Sequence, residues 1–189
     1  MVENLYINAS GSIKLNMSVD EFHRLIGKFT VKFETTMAVA KSAYYMNLQP
    51  LDPEVFEILF KDLTAKNFMD SFQALLHLKT KDADEELKII DTFFDLTRKL
   101  ISARNEVIHG LWMVSYGSEV KISASKIRRV KNKIEVKQLD PSTIGPLTEK
   151  IGIALGLFLF LNGGVKKTIN GSPFTRFFNP ELLAKMKIE

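Results

Sequence analysis

Apolar side chains recur every three or four residues through the first part of the chain, and this spacing is typical of one long amphipathic helix. Ser18 and Glu21 form the pattern of a capping box in front of the repeat, so the helix is expected to begin at Ser18. It is predicted to end near Met46. The apolar positions are Phe22, Leu25, Ile26, Phe29, Phe33, Met37, Ala40 and Tyr44. The pattern favours a mainly helical fold.

A second helical region is predicted after a proline-bracketed turn. Asp52 is suited to cap it and Pro53 to occupy its first position, where a missing amide hydrogen costs nothing. Within this region, Lys66 and Asn67 could hold a break between two shorter helices.

Two further helices are predicted later in the chain. One begins near Asp84 and continues to His109, where Gly110 ends it. The other runs from about 144 to 161 and is apolar enough to lie in the core. The C-terminal tail, 165–189, is expected to contain loops and one short helix.

The periodicity changes between residues 111 and 139, where apolar and polar residues alternate as they do in half-buried strands. We therefore expect two or three antiparallel strands there. Between Trp112 and Leu139 the chain carries seven basic and two acidic residues, so this segment holds the whole positive excess of a chain whose net charge is +4. The predicted fold class is mainly α: an antiparallel helical bundle with a small antiparallel β insertion at about 111–139.

Length and composition indicate one domain spanning 1–189, with an N-terminal segment at 1–17. The chain has no cysteine, which excludes disulfides and thiolate chemistry and favours a cytoplasmic location. The first residues have no basic stretch leading into an apolar one, so no signal or anchor is expected. The most apolar run, 151–161, is shorter than a membrane span, so no membrane association is expected.

Arg104 is the most informative residue because it falls on the apolar stripe of its helix. It follows Leu100 by four residues and Ile101 by three, and such residues are neighbours on a helix surface. Asn105 and His109, four apart, share the adjacent flank. An arginine on an apolar face must extend its head to water or find a partner group. The alternative interpretation is that Arg104 extends its head to water and His109 lies at the end of its helix, and that neither residue has a function.

At these residues the sequence resembles the HEPN family (higher eukaryotes and prokaryotes nucleotide-binding). Arg104-Asn105-Glu106-Val107-Ile108-His109 matches the family's R-x4-H pattern, with a polar residue after the arginine. Ala103 and Gly110-Leu111-Trp112 resemble the flanks of many small bacterial members. The helical resemblance covers roughly 18–110 and 140–164, with the basic β segment as an insertion.

The resemblance implies a HEPN-like helical fold whose homodimer brings two motifs into one cleft and, in active members, a ribonuclease that needs no metal and no cofactor. Arg104, Asn105 and His109 are then the candidate catalytic residues. A histidine can move the proton of a ribose 2′-hydroxyl, and an arginine can stabilise charge on the phosphoryl oxygens. The resemblance also allows an antitoxin or another protein partner. In some toxins a tyrosine two positions after the histidine is modified by the partner, but Leu111 stands there.

Residues after the helix are candidates for holding RNA. Trp112 could stack on a base, although a lone tryptophan is more often part of the core. The basic strands could contact the RNA backbone or act as a charged edge that blocks sheet association. The basic candidates are Lys126, Arg128, Arg129, Lys131 and Lys133.

No cluster with metal-ligand spacing, phosphate loop or Ser-His-Asp set is visible in the sequence. His23 and His77 have no obvious acidic companion and are assigned to structure or surface. The expected function is a homodimeric, metal-independent endoribonuclease, possible in toxin–antitoxin or defence systems. A non-catalytic dimeric module that binds protein or nucleic acid is the alternative.

Overall fold

The computed structural model describes residues 18–80, 84–115, 121–130, 133–139, 141–162 and 180–185. Helices dominate this part of the chain, so the prediction of a mainly helical structure is confirmed. The elements are α1 (Val19–Leu48), α2 (Pro53–Phe60), α3 (Ala65–Lys79), α4 (Asp84–His109), β1 (Leu111–Ser115), β2 (Lys121–Val130), β3 (Lys133–Leu139), α5 (Ile144–Asn162) and α6 (Pro180–Lys185).

The N-terminus of α1 carries the predicted capping box. The Ser18 hydroxyl accepts the Glu21 amide at 3.2 Å, and the Glu21 carboxylate accepts the Ser18 amide at 2.8 Å. These reciprocal bonds satisfy backbone donors that the first helical turn leaves free. The helix ends at Leu48, two residues beyond the predicted boundary.

The second helical region is two helices, but the break is not at Lys66 and Asn67 as predicted. The break lies at residues 61–64, and both Lys66 and Asn67 are helical. The reason is Thr64, whose hydroxyl accepts the Asn67 amide at 3.2 Å and caps α3. The predicted cap of α2 is confirmed, since the Asp52 carboxylate accepts the Glu54 amide at 2.8 Å.

α1 and α5 form the largest helix–helix contact within the described residues. Two contacts show that they run in the same direction. The Lys32 side chain lies over Gly152, and ten residues later the Ser42 hydroxyl donates to the Asn162 side chain at 3.0 Å. The prediction of an antiparallel bundle is therefore wrong for this pair. The cause is the β segment between α4 and α5, which returns the chain so that α5 follows the direction of α1.

The core is built largely from aromatic rings contributed by α1, α2, α3, α4 and α5. Tyr44 stacks on Phe72 with ring centroids 4.9 Å apart, and Phe158 packs edge-on against Phe93 at 5.0 Å. Phe72 also contacts Phe94 at 5.6 Å. Such pairs add specific geometry to the free energy of apolar burial. This aromatic core fixes how α4 lies across α1 and α3.

The segment between α4 and α5 forms a three-stranded antiparallel sheet in the order β1-β2-β3. Leu111 pairs with Ser125 at the start of β1, and Val130 pairs with Lys133 at the turn between β2 and β3. The sheet begins directly after α4, so its first strand continues from the candidate site.

The stretch Pro141–Asn162, which contains α5, is long and apolar enough to cross a membrane, and an 18-residue window within it has a mean hydropathy of 1.6. In this structure 39% of that window is buried, and buried helices of soluble proteins reach the same apolarity. The cytoplasmic location and the absence of membrane contact stay predictions.

Several predictions fall on residues outside the described ranges. These are the N-terminal segment 1–17, Lys131, and the tail 165–189 apart from α6. The short C-terminal helix is confirmed at Pro180–Lys185.

Candidate functional site

Arg104 lies where α4 crosses α1, and its side chain is only 24% exposed. One terminal nitrogen, Nη2, donates to the Glu34 carboxylate at 2.8 Å. The guanidinium carbon lies 5.4 Å from the centre of the Phe33 ring, within range of a cation–π interaction. Although Arg104 lies on the apolar stripe of its helix, it therefore contacts both a carboxylate and an aromatic ring on α1.

The guanidinium of Arg104 still has unused donor capacity. Its Nη1 reaches the Asn105 side-chain oxygen only at 3.4 Å, which is long for a hydrogen bond. Its Nε is buried and has no acceptor within the part of the chain that the structure describes. A buried donor without an acceptor costs free energy. Because Nε is buried, a further oxygen atom can approach this guanidinium only at its terminal nitrogens, beside the cleft.

A cleft of about 400 Å³ opens beside Arg104 between α1, α3 and α4. Its volume lies in the range of small-ligand sites. Three basic side chains and one acidic side chain line it, so the cleft carries a positive excess. The lining consists of Phe33, Glu34, Met37, Lys41, Leu63, Thr64, Ala65, Lys66, Phe68, Ile101, Arg104 and Asn105.

The charged groups are spread along the cleft. On α1, Glu34 and Lys41 lie seven residues apart, about 10 Å along the helix axis, and the apolar Met37 lies between them. Arg104 is held at the Glu34 end. The first turn of α3, including Lys66, also lines the cleft, and helix N-termini carry a partial positive charge.

Asn105 and His109 lie on the outer side of α4. Both are exposed, and they follow each other by one helical turn on the same flank. Asn105 borders the cleft, whereas His109 does not. Within the described residues no hydrogen bond joins His109 to Arg104. A single chain therefore brings Arg104 and Asn105 together and places His109 one turn further on.

Trp112 holds the end of α4 in place. Its indole nitrogen donates to the Val107 carbonyl at 2.7 Å, and its ring lies 4.9 Å from that of Phe22 on α1. Both contacts fix the turn at Gly110, which follows His109. The predicted stacking of Trp112 on a base stays a prediction, and the side chain is half-buried.

Most of the basic candidates for RNA contact lie on the sheet. Lys126, Arg128 and Arg129 belong to β2, and Lys133 begins β3. The register pairs Lys126 with Lys137 and Arg128 with Glu135. The backbone therefore gathers these positions on one hairpin that is continuous with α4 through β1.

His77 has an acidic companion, contrary to the sequence interpretation. Its Nε2 lies 2.7 Å from the Asp91 carboxylate, which also accepts the Gln73 amide at 2.6 Å. Arg98 extends this network, with bonds to Asp70 and to the Gln73 side chain. The network joins α3 to α4 and supports the helix that carries Arg104. Among the described residues no group of three His, Asp or Glu side chains is placed to hold a metal ion.

Glu34, Lys41 and Lys66 were not among the predicted site residues. Glu34 had a sequence signal, since it is the only carboxylate of α1 beyond the first helical turn. Arg104 required a partner, and Glu34 provides it from 70 positions away. Lys41 and Lys66 had no comparable signal, because exposed lysines are ordinary on helices.

Comparison with known proteins adds no relative: no family model, no curated protein and no solved structure matches this chain.

Proposed function

We propose that this chain is a homodimeric endoribonuclease of HEPN type that cleaves RNA without a metal ion. Arg104, Asn105 and His109 of both copies form its active centre. The observation that carries the proposal is the position of Arg104, which is anchored on Glu34 and Phe33 and lies beside a positively charged cleft.

Arg104 would bind the phosphoryl oxygens. A planar guanidinium suits this task because it donates several hydrogen bonds in a fixed geometry and keeps its charge. Burial against Phe33 limits its motion, which favours a preorganised contact with the charge that develops during reaction. Asn105, at the mouth of the same cleft, would orient the substrate or the arginine.

His109 would move the protons. Its imidazole takes the proton from a ribose 2′-hydroxyl, whose oxygen then attacks the adjacent phosphorus while the 5′-oxygen leaves and is protonated. The products are a 2′,3′-cyclic phosphate and a 5′-hydroxyl. Exposure at the end of α4 gives the His109 ring access to a strand that approaches from solvent.

A second copy would complete this arrangement. Arg104 and His109 are five residues apart on a helix, so they differ by about 140° around the axis and about 7.5 Å along it. One copy alone therefore presents them on different sides of α4. Pairing of two chains along the exposed flank of Asn105 and His109 would place histidine and arginine from both copies around one phosphate.

The direct test is cleavage of single-stranded RNA in EDTA by the purified parent protein and by His109→Ala. The expected result is cleavage with cyclic-phosphate ends by the parent and a loss of at least about a hundredfold in the variant. His23→Ala is the matched control, because His23 is also an exposed helical histidine. Equal cleavage by all three proteins would reveal a contaminant and contradict the proposal.

The alternative is a dimeric module without catalysis, and one contact favours it. The ion pair between Arg104 and Glu34 already satisfies part of the hydrogen-bonding capacity of the guanidinium within one chain, as a purely structural arginine would require. This function predicts that Arg104→Ala alters the sedimentation of the protein while the parent leaves RNA intact. Cleavage that depends on His109 would exclude it.

A further inference from the structure

We propose that the cleft between α1, α3 and α4 is a second phosphate subsite, in which Lys41 and Lys66 hold a backbone phosphate of the RNA strand beyond the phosphate at Arg104. This inference rests on the proposed function for its ligand, RNA. It does not require that the chain cleaves that RNA.

The placement of charge within the cleft carries the inference. Arg104 is neutralised in part by Glu34 at one end, whereas Lys41 lies about two helical turns further along α1, and Lys66 lines the same cleft from the first turn of α3. No carboxylate among the cleft-lining residues accompanies these lysines, since Glu34 is the only acid of the lining. The cleft therefore has a second cationic position that is separate from Arg104.

The spacing and the lining suit an extended single strand. Successive phosphates of one strand can contact Arg104 and the two lysines while the strand follows α1. Between these positions the wall of the cleft is apolar and includes Met37. An apolar wall can receive a sugar or a base without sequence preference. The α3 amides at the N-terminus add partial positive charge toward a phosphate at Lys66.

The subsite also defines the path of the RNA strand across the protein. Asn105 borders the cleft, and His109 lies one turn beyond it on the outer flank of α4. A strand seated on Lys41 and Lys66 would pass Arg104 and emerge near Asn105 and His109. Lys41 and Lys66 would thus act as positioning residues that fix the register of the strand relative to the centre.

The test is the binding of a short, single-stranded 2′-O-methyl RNA, which cannot be cleaved through a 2′-hydroxyl, measured by fluorescence anisotropy at several salt concentrations. Lys41→Gln and Lys66→Gln should each weaken binding about threefold, and the double variant should reduce the salt-dependence slope by about 0.7, the value for one phosphate contact on a single strand. Both lysines are exposed, so neither substitution should affect folding.

Lys99→Gln is the matched control, because Lys99 is exposed on α4 and lies outside the cleft lining. Equal effects of Lys99→Gln, Lys41→Gln and Lys66→Gln would indicate general charge attraction and overturn the subsite. No binding by the parent protein would also overturn it.

The two proposals fail separately. Binding that depends on Lys41 and Lys66, without any cleavage of unmodified RNA, supports the subsite and contradicts the ribonuclease. Cleavage that depends on His109, with a salt slope that neither lysine changes, supports the ribonuclease and contradicts the subsite.

Discussion

Arg104 combines three kinds of contact that each limit a different motion. The ion pair with Glu34 fixes one end of the guanidinium, its central carbon lies 5.4 Å from the centre of the Phe33 ring, and Asn105 is its neighbour on the cleft side. The Glu34 side chain is 56% exposed, so this pair is screened by water and contributes at most about 1 kcal/mol to stability. The larger effect of this ion pair is to restrict which hydrogen-bond acceptors Arg104 can reach.

Glu34→Gln should therefore change RNA binding more than folding. Removing the carboxylate frees Nη2 of Arg104 and removes a negative charge from the cleft, so the affinity for single-stranded RNA should rise about threefold. Fluorescence anisotropy measures this, and thermal melting should show little change. Glu57→Gln, an exposed glutamate on α2 outside the cleft lining, is the control for the loss of one negative charge. Weaker binding by Glu34→Gln would mean that Glu34 positions Arg104 for RNA instead of competing with it.

At the scale of single elements, helix ends place the candidate site. α3 begins at Thr64 because its hydroxyl caps the helix, and this brings the first turn of α3 to the cleft. α4 ends after His109, and the bond from Trp112 to the Val107 carbonyl fixes that end. The capping box of α1 fixes the start of the helix that supplies Phe33, Glu34 and Lys41.

Ser18→Ala should destabilise the fold by about 1 kcal/mol, because it removes the hydroxyl that accepts the Glu21 amide. Urea denaturation followed by circular dichroism measures this loss. Ser102→Ala, at an exposed position inside α4, is a comparison in which no cap is lost. A loss no larger than that of Ser102→Ala would show that the cap contributes little.

The capping box of Ser18 and Glu21 also predicts that the stability of the fold depends on pH. Hydrogen bonds from the Ser18 amide and hydroxyl lower the pKa of Glu21 below its ordinary value of 4.5. Because the folded-state pKa is the lower one, this stabilisation is complete above the unfolded-state pKa and is lost as the pH falls through the folded-state value. The stability difference between the parent and Glu21→Gln should therefore shrink in acid. A difference that stays constant below pH 4.5 would contradict this cause.

Across the fold, aromatic packing holds the helices in register. Phe158 of α5 contacts Phe72 of α3 and Phe93 and Phe94 of α4, so one ring joins three helices. The position of α4 relative to α1 and α3, and with it the shape of the cleft, depends on this junction.

Phe158→Ala should cost about 3 to 5 kcal/mol, because it leaves a cavity at the junction. Leu159→Ala is the control from the next position, where the side chain is 54% exposed and little burial is lost. Urea denaturation of both variants tests the difference. Similar losses at the two positions would mean that the outer face of α5 is buried in solution, for example against a second chain.

The sequence predicted most of the helix boundaries, because capping residues and the spacing of apolar side chains act over a few neighbouring positions. Ser18, Asp52 and Gly110 each marked an end that the structure has. It also placed Arg104 on an apolar face, where the guanidinium needed a partner. The cap at Thr64 was missed because several residues between α2 and α3 could have begun a helix equally well.

Which side chains meet across the chain depends on how the helices pack. Glu34 reaches Arg104 across 70 positions, and Lys41 and Lys66 share a cleft because the aromatic core sets how α1, α3 and α4 cross. The parallel course of α1 and α5 likewise depends on long-range packing. Such contacts arise from the relative placement of whole elements, and local spacing along a chain carries no information about the distance between residues so far apart.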